Sequence, residues 1–377
     1  MRGRAEATAV EHWGTVAVSA WLLVGLFLDG WAHNLRKPDS FFTPWHGVIY
    51  SGFAAAALWV GSMALRRLEP GEGARRLLWA APRGYRASLV GAAAFAAGGV
   101  ADLAWHQAFG VEVDTAALVS PPHLVLFVSA VMVGTGPLRA AWSAPASGGE
   151  RVGWRALGPA LASLTFAASA AAFFLMNHSP FVSLPNFAFG ERHRRLSADD
   201  RDWLLSVDQA DFLLTTAVFV GPALLLLRRW GRPPRGSITV LWGVMAGLLA
   251  AIDGFSAPEP IAAALAAGLL ADVALWRLPA GAGVAWRRRL FGFALPAVLW
   301  LCWFAVVALR WGVALEVEAW TGIVTTSSLL GGGLALLVWP PGAGGDGGGD
   351  GPAERLGSRR DDSAGGAVWD DSTARWR

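Results

Sequence analysis

Residues 13–33 read WGTVAVSAWLLVGLFLDGWAH, an apolar run that ends in Asp29 and His33. The run has about the 20 apolar residues that a helix needs to cross the hydrocarbon layer of a bilayer. Similar runs recur along the 377-residue chain, of which 54% is hydrophobic and 16% is charged. A soluble domain carries about 25% charged residues. The sequence therefore predicts a polytopic membrane protein.

Ten such runs are the predicted membrane spans. In lipid every backbone polar group needs an internal partner, so each run is expected to be a helix. The predicted fold class is all-α, a polytopic membrane helical bundle of about ten transmembrane helices built from repeated helical hairpins. The spans are 13–30, 46–65, 87–108, 121–141, 157–177, 208–227, 237–253, 259–276, 290–309 and 320–339. Together they predict a transmembrane domain over 1–339.

The distribution of positive charge predicts the orientation. The loops that follow every second span carry 17 Lys and Arg residues, against seven in the alternate loops. Cytoplasmic loops are the ones enriched in Lys and Arg. We therefore expect a multi-pass cell-membrane protein with both termini cytoplasmic. The segment 340–377 is rich in Gly and Asp and is predicted to be a disordered cytoplasmic tail.

Cysteine count and charge exclude two other classes of protein. The single cysteine, Cys302, lies in an apolar run, which excludes a disulfide scaffold. The 31 basic residues are nearly balanced by 28 acidic ones and fall in short clusters between apolar runs. This pattern predicts the lipid bilayer, and no nucleic acid, as the partner.

Weak internal repetition accompanies the spans. Asp29-Gly30-Trp31 recurs as Asp253-Gly254-Phe255, and fourteen residues separate both His123 from Pro137 and Asp208 from Pro222. A chain that contains similar segments in this order is typical of a duplicated structural unit. We interpret the pattern as a duplicated helical hairpin whose later copies lack histidines.

Two hairpins carry the same set of ionisable residues at the predicted outer ends of their spans. Asp and His are four residues apart at the end of one span, and a second His opens the next span. Residues four apart share a helix face, so each hairpin directs one carboxylate and two imidazoles to one point. The predicted metal ligands are Asp29, His33 and His46 in hairpin 13–65, and Asp102, His106 and His123 in hairpin 87–141.

The residue types restrict the metal but do not identify it. Soft ligands are nearly absent, because Cys302 is alone and the five methionines show no cluster. Imidazole with carboxylate suits Cu(II), Zn or Fe(II), and two histidines with one carboxylate also describe the non-haem iron triad. The structural alternative is a pair of hydrogen-bonded Asp–His networks with no metal.

The first motif resembles a signature of a known family. Asp29-Gly30-Trp31-Ala32-His33, followed by Asp39-Ser40-Phe41-Phe42-Thr43-Pro44-Trp45-His46, resembles the C subunit of the copper membrane monooxygenases, the particulate methane and ammonia monooxygenases. A second cluster of that subunit is matched by Asp102-Leu103-Ala104-Trp105-His106 and Pro121-Pro122-His123, with Asp102 where the family has asparagine. The resemblance covers about residues 15–140. It implies copper at both clusters, with zinc or iron as the other metals that these ligands suit.

The resemblance also implies a function and partners. We expect O₂-dependent hydroxylation of a small apolar substrate or ammonia, carried out by a monooxygenase of which this chain is one subunit. Its partners would be separate subunits or further copies of this chain. The alternative is a transporter or metal-handling protein with an outer-face His/Asp site, for which Asp272 would be the inner binding step. A scaffold subunit that keeps the ligands for stability is a third interpretation.

The remaining polar residues of the spans have less specific patterns. Asn177 and His178 close the fifth span, and Asp208 and Asp211 open the sixth. They are interpreted as a structural network. The alternatives are a third, degenerate metal site or a set of outer residues that support the first two sites. Asp253 and Glu259 flank a later outer turn, where a polar cavity is one interpretation. His193 is predicted to be a solvated loop residue, and His12 to lie near the opposite membrane face.

Overall fold

A computed structural model of the chain describes residues 5–37, 40, 42–71, 73, 76–110, 116–145, 152–188, 194–277 and 285–341. All regular structure in these ranges is helical. Residues Met1–Pro340 form one compact unit. The predicted tail lies outside the described residues from position 342 onward. His193 lies outside them as well.

The long helices agree in position with the ten predicted spans. They are α1 (Ala9–Asn34), α2 (Pro44–Leu65), α3 (Arg86–Phe109), α4 (Pro121–Gly134), α5 (Gly136–Ser143), α6 (Trp154–Phe174), α7 (Ala198–Trp230), α8 (Ser237–Ile252), α9 (Glu259–Arg277), α10 (Ala285–Arg310) and α11 (Val317–Val338). The polytopic all-helical fold is therefore confirmed.

Length separates these helices into three groups. In the described part of the chain, eight are long and apolar enough to cross a membrane, and the bent pair α4 and α5 would form a ninth crossing. The tenth predicted span is α8, which has 16 residues. At 1.5 Å per residue it is about 24 Å long, shorter than the hydrocarbon layer of about 30 Å.

Consecutive helices pack as antiparallel hairpins. The pairs are α1–α2, α3–α4, α8–α9 and α10–α11. In the first hairpin a Cβ on Gly25 would lie 2.8 Å from the backbone nitrogen of Ile49, and one on Gly52 equally close to that of Leu22. Small residues allow this close approach of membrane helices.

The break between α4 and α5 falls at Thr135 and bends the pair by 50°. A break inside lipid exposes backbone carbonyls that need new partners. Ser88 Oγ donates to the carbonyls of Met132 and Val133, and Arg139 also donates to Met132 O. Ser163 Oγ donates to the carbonyl of Gly134. These side chains allow an irregular backbone at this position.

The core of the second half is aromatic. Phe212 on α7 packs edge-to-face on Trp300 and Trp303 of α10, with ring centroids 4.4 and 5.2 Å apart. Trp300 Nε1 donates to Thr216 Oγ1 at 2.7 Å, so the buried indole N–H has a partner. α6 is also largely buried, and it packs against α1 and α8. It thereby joins the first two hairpins to the rest of the bundle.

Candidate metal centres

The first three predicted ligands lie together. Asp29 and His33 are on one face of α1, and His46 lies in the first turn of α2. Asp29 Oδ1 is 3.1 Å from His46 Nε2 and 3.7 Å from His33 Nε2. One ligand atom from each residue falls within 4.8 Å of the other two. The hairpin therefore brings a carboxylate and two imidazoles to one point.

The second three ligands have the same arrangement in the next hairpin. Asp102 Oδ1 is 3.3 Å from His123 Nε2, and Asp102 Oδ2 is 3.5 Å from His106 Nε2. Asp102 and His106 come from α3 and His123 from the first turn of α4. All three ligand atoms lie within 4.8 Å of one another. The six residues predicted from the sequence thus form two clusters of three.

A glycine four residues before each aspartate allows the hairpins to close. Gly25 precedes Asp29 and Gly98 precedes Asp102, so each hairpin carries Gly-x-x-x-Asp-x-x-x-His. Gly25 faces Ile49, three residues after His46, and Gly98 faces Leu126, three residues after His123. These glycines are not among the residues predicted from the sequence. The four-residue period from Gly to Asp to His was the signal that could have found them.

In each cluster one histidine is oriented by a backbone carbonyl. His46 Nδ1 lies 2.9 Å from the carbonyl oxygen of Ser40, and His106 Nδ1 lies 3.2 Å from that of Gly110. A carbonyl only accepts hydrogen bonds, so Nδ1 is the protonated nitrogen in both rings. With Nδ1 as the donor, Nε2 is the nitrogen that faces the aspartate. This is the arrangement that a metal-ligating histidine uses.

The geometry of both clusters is compatible with a bound metal ion. Within the described part of the chain, Asp29 Oδ1 and Asp102 Oδ1 are buried and accept no hydrogen bond, although a histidine nitrogen is close to each. Buried carboxylate oxygens normally have a partner. Two ligand atoms each about 2.1 Å from one ion, at angles of roughly 90–120°, lie about 3.0–3.6 Å apart. Three of the four observed N···O distances, 3.1, 3.3 and 3.5 Å, fall in this range, and the fourth, 3.7 Å, lies just above it.

Both clusters line one cavity of about 860 Å³. Its walls are mostly aliphatic and aromatic, and α6 contributes Phe166, Ala170 and Phe173. Most of the other lining residues occupy equivalent positions of the two hairpins. From α1 they are Leu22, Leu23, Leu26, Asp29, Gly30 and His33, and from α3 Phe95, Ala96, Gly99, Asp102, Leu103 and His106; from α2 His46, Ile49, Tyr50 and Phe53, and from α4 His123, Leu126, Phe127 and Ala130. The cavity therefore lies between two structurally equivalent hairpins.

The residues around the fifth and sixth spans do not form a third cluster of three in the described structure. His178 and Asp211 make a single contact of 2.8 Å between Nδ1 and Oδ1. The carbonyl of His178 also accepts from Thr215 Oγ1. Asp208 is buried on α7, and Asn177 lines the cavity. These contacts agree with the structural interpretation of this group.

The acidic residues of the later spans have structural partners. Asp253 accepts from Asn34 Nδ2 at 3.2 Å and from the Ser256 hydroxyl. Glu259 pairs with Arg310 at 3.4 Å. Among these residues, Asn34 lines the cavity and the others do not. Asn34 follows His33, and its Nδ2 donates to the carbonyl of Ile252, which connects the first hairpin to the end of α8.

Asp272 caps the start of α8. Its carboxylate accepts from the backbone nitrogens of Ile238 and Thr239, at 3.3 and 2.9 Å, and from Thr239 Oγ1 at 2.7 Å. A carboxylate at a helix N-terminus satisfies amide groups that lack partners within the helix. Asp272 therefore has a structural role, and the structure offers no support for an inner binding step there.

Two of the sequence repeats differ in conformation. Asp29 and Gly30 lie within α1, whereas Asp253 follows the end of α8 and Gly254 has a positive φ of 62°. Pro137 follows the break at Thr135, whereas Pro222 lies inside the continuous helix α7. The sequence repeat therefore corresponds to a repeated structure in the first two hairpins, but not at these later positions.

The opposite end of the bundle holds a separate polar network. His12 Nδ1 is 2.8 Å from the Tyr85 hydroxyl. The neighbouring Glu11 accepts from Arg67 at 2.7 and 2.8 Å, and this hydrogen bonding raises the pKa of Arg67. His12 lies in the first turn of α1, about 25 Å along the helix from Asp29 at 1.5 Å per residue. It is therefore separate from both clusters, as predicted.

Comparisons with known proteins give no match for this chain, whether with family models, curated proteins or solved structures.

Proposed function

We propose that this chain is a copper-binding membrane protein, similar to the C subunit of the copper membrane monooxygenases, which takes part in O₂-dependent hydroxylation of a small apolar substrate or ammonia. The observation that carries the proposal is the pair of equivalent Asp/His/His clusters on one shared apolar cavity. We propose copper and oxygen chemistry because the motifs resemble those of that monooxygenase family.

The aspartates and the histidines have different roles in the proposed metal sites. Asp29 and Asp102 each supply one negative charge and a buried oxygen that accepts no hydrogen bond within the described part of the chain. His46 and His106 are fixed by carbonyls at Nδ1 and present Nε2. Bound copper would supply one-electron redox chemistry with O₂, which protein side chains do not provide.

The remaining cavity walls exclude water and receive the substrate. Phe53 and Phe95 stack at 4.3 Å between the two hairpins, and Phe27 packs against Phe173 of α6. Apolar walls next to ionised ligands lower the local dielectric and strengthen their hold on a cation. The same walls favour an apolar molecule over water. The residues thus support oxidation of an apolar substrate beside the ligands.

The proposal includes the membrane orientation and the partners. The charge bias of the loops supports placing the clusters at the outer face. Exposed apolar residues cover the long helices, as expected for contact with lipid. Separate monooxygenase-type subunits, or further copies of this chain, are the proposed protein partners.

Oxygen incorporation tests the hydroxylase part of the proposal. Copper-loaded native membranes that contain the full chain together with its partner subunits, a reductant and ¹⁸O₂ should form ¹⁸O-labelled product from an apolar substrate. Product should fall to background in the Asp29→Ala/Asp102→Ala variant and persist in His12→Ala, whose histidine contacts Tyr85 at the other end. No labelled product from membranes whose chain holds copper would reject hydroxylation and leave metal binding standing.

A further inference from the structure

The end of the bundle that holds His12 carries a dense concentration of positive charge. Segments 228–236 and 277–289, which follow α7 and lead into α10, contain eight arginines and no acidic residue. His12 and Trp230 line one small cavity, which places the end of α7 at this end of the bundle. Arginine stays protonated in proteins, so these segments keep their positive charge at any physiological pH.

Two of these arginines have structural partners. Arg229 Nε donates to the carbonyl of Trp142 at 3.1 Å, in the last turn of α5, and Arg289 Nε donates to that of Trp339 at 2.8 Å, at the end of α11. The last carbonyls of a helix have no partner within it, and a cation stabilises that end of the helix dipole. Arg229 and Arg289 therefore serve the fold.

Three further arginines form a group without such partners, namely Arg228, Arg232 and Arg288, which we call the arginine group. In the described part of the chain, no carboxylate and no hydrogen-bond acceptor pairs with their guanidinium groups. The charges that act on Arg288 are those of Arg228 and Arg232. Arg232 and Arg288 are also half-buried. Charges withdrawn from water are normally paired, so the arginine group lacks a counter-anion.

The packing of α7 against α10 holds these like charges together. Leu224 Cδ2 would lie 3.3 Å from a Cβ on Gly292, so these two positions face each other across the helix pair. Because the helices run in opposite directions, four residues farther along α7 and four back along α10 place Arg228 opposite Arg288. A Cβ on Gly231 would lie 3.2 Å from a guanidinium nitrogen of Arg288. The register therefore fixes the juxtaposition.

The surroundings of the arginine group add donors and no acceptor. The Trp339 ring lies 5.8 Å from Arg288 Cζ, and its buried Nε1 has no hydrogen-bond partner among the described residues. Arg287 and Arg288 lie in the first turn of α10, where positive charge opposes the helix dipole and no acidic residue offsets it. Phosphate supplies negative charge and several acceptor oxygens, and guanidinium groups bind it in a bidentate manner.

The level and the apolar neighbours of the arginine group match a phospholipid. Trp286, exposed beside Arg287, is of the residue type that marks the membrane interface. Toward the middle of the bundle, Leu225 on α7 and Leu290 on α10 are 45% and 55% exposed. Such surface suits an acyl chain and gives nothing to a soluble anion. A zwitterionic headgroup brings its own cation, whereas an anionic one leaves a net negative charge for the arginines.

We propose that Arg228, Arg232 and Arg288 bind the phosphate of an anionic phospholipid in the leaflet at this end of the bundle. The headgroup neutralises like charges that face each other across α7 and α10, and its acyl chains lie along Leu225 and Leu290. Basic pockets between transmembrane helices are known to recognise anionic headgroups. The site is separate from both Asp/His/His clusters and needs no metal.

Native mass spectrometry of the full chain in detergent measures the binding. Protein stripped of lipid is titrated with phosphatidylglycerol, or with phosphatidylcholine of the same acyl chains. One phosphatidylglycerol per chain should bind at least about tenfold more tightly than phosphatidylcholine, because charge-assisted hydrogen bonds are the strong ones.

Two matched double variants separate a site from general attraction between opposite charges. Arg232→Gln/Arg288→Gln should reduce the affinity for phosphatidylglycerol at least about tenfold. Arg66→Gln/Arg83→Gln removes the same charge at the same end, but both of its arginines have partners of their own, so the affinity should change less than about twofold. If the first double variant does not fold, Arg232→Gln alone takes its place, with a loss of at least about threefold.

Melting temperatures distinguish the lipid from a soluble anion. In lipid-free detergent, Arg232→Gln/Arg288→Gln should melt no lower than wild type, because the substitution removes repulsion between like charges. Phosphatidylglycerol should raise the melting temperature of wild type and leave that of this variant unchanged. Inorganic phosphate at the same concentration should raise neither.

Four results would overturn the proposal. Equal affinity for the two lipids would exclude selection of an anionic headgroup, and an equal loss in both double variants would show general charge attraction. Stabilisation of wild type by inorganic phosphate as large as that by phosphatidylglycerol would assign the arginine group to a soluble anion. A lower melting temperature of the folded Arg232→Gln/Arg288→Gln variant without lipid would show that these arginines stabilise the fold by themselves.

Discussion

The two hairpins that carry the Asp/His/His clusters form the same arrangement with different supporting contacts. In the first, the oriented histidine is His46 on α2, held by a carbonyl of the preceding loop. In the second it is His106 on α3, held by the carbonyl of Gly110 at the end of its own helix. The loops also differ, since His46 follows His33 by 13 positions and His123 follows His106 by 17. What the hairpins share is the convergence of three ligands, not the contacts that support it.

Removal of either aspartate should have the largest effect. Asp29→Ala and Asp102→Ala each delete the carboxylate that both histidines of a cluster face. Each variant should lose one of two copper ions per chain, and the double variant both, by elemental analysis after copper reloading. Asp211→Ala is the control, because it pairs with His178 and does not line the cavity. Retention of two ions in either single variant would show that its cluster is not a site.

His46→Ala tests whether His46 is a metal ligand or a structural residue. His46→Ala should reduce copper affinity of the first cluster by at least the 10–100-fold typical of lost outer contacts, with the second cluster unchanged. Its melting temperature should change little, because water near the membrane interface can satisfy the vacated partners.

His12→Ala is the matched control for His46→Ala. It breaks the hydrogen bond with Tyr85, worth about 1 kcal/mol, so it should lower the melting temperature without loss of copper. A stability loss without copper loss in His46→Ala would assign His46 to a structural network.

Gly110→Ala tests the hydrogen bond between Gly110 and His106, which orients a histidine in the second hairpin only. Gly110 has φ 86° and ψ 175°, a conformation that is almost restricted to glycine and costs other residues about 1–3 kcal/mol. The strain should shift the carbonyl that orients His106, so copper affinity should fall about tenfold at the second cluster, the lower end for a lost outer contact. Copper titration of each cluster, in a variant that lacks the aspartate of the other cluster, measures this loss of affinity. An equal loss of copper affinity at both clusters would contradict the claim that a different carbonyl orients the histidine of each cluster.

The smallest effects on the clusters themselves should come from the glycines that close the hairpins, whose substitution acts on packing. A Cβ at position 25 meets the backbone of Ile49 at 2.8 Å, whereas one at 98 meets side chains of Val125 and Leu126 at 3.1 Å. Backbone cannot yield as side chains do. Gly25→Ala should therefore cost about 1–3 kcal/mol by overpacking, and Gly98→Ala less than about 1 kcal/mol. Thermal melts compare them, and the reverse order would contradict this packing difference.

The sequence predicted the spans and both clusters because hydrophobic length and four-residue spacing are local properties. Asp29 and His33 share a helix face whatever the rest of the chain does. The break at Thr135 could not be predicted, because it depends on Ser88 and Ser163 from other helices. The cap formed by Asp272 on Thr239 and the shared cavity likewise arise only from tertiary packing.

The central claim is that the two hairpins form two equivalent metal centres, and metal content with X-ray absorption tests it most directly. Wild-type protein, purified in lipid and reloaded with copper, should hold about two ions per chain. Each should show a nitrogen and oxygen shell without sulfur. A stoichiometry near zero, or a sulfur shell, would contradict the assignment of both clusters.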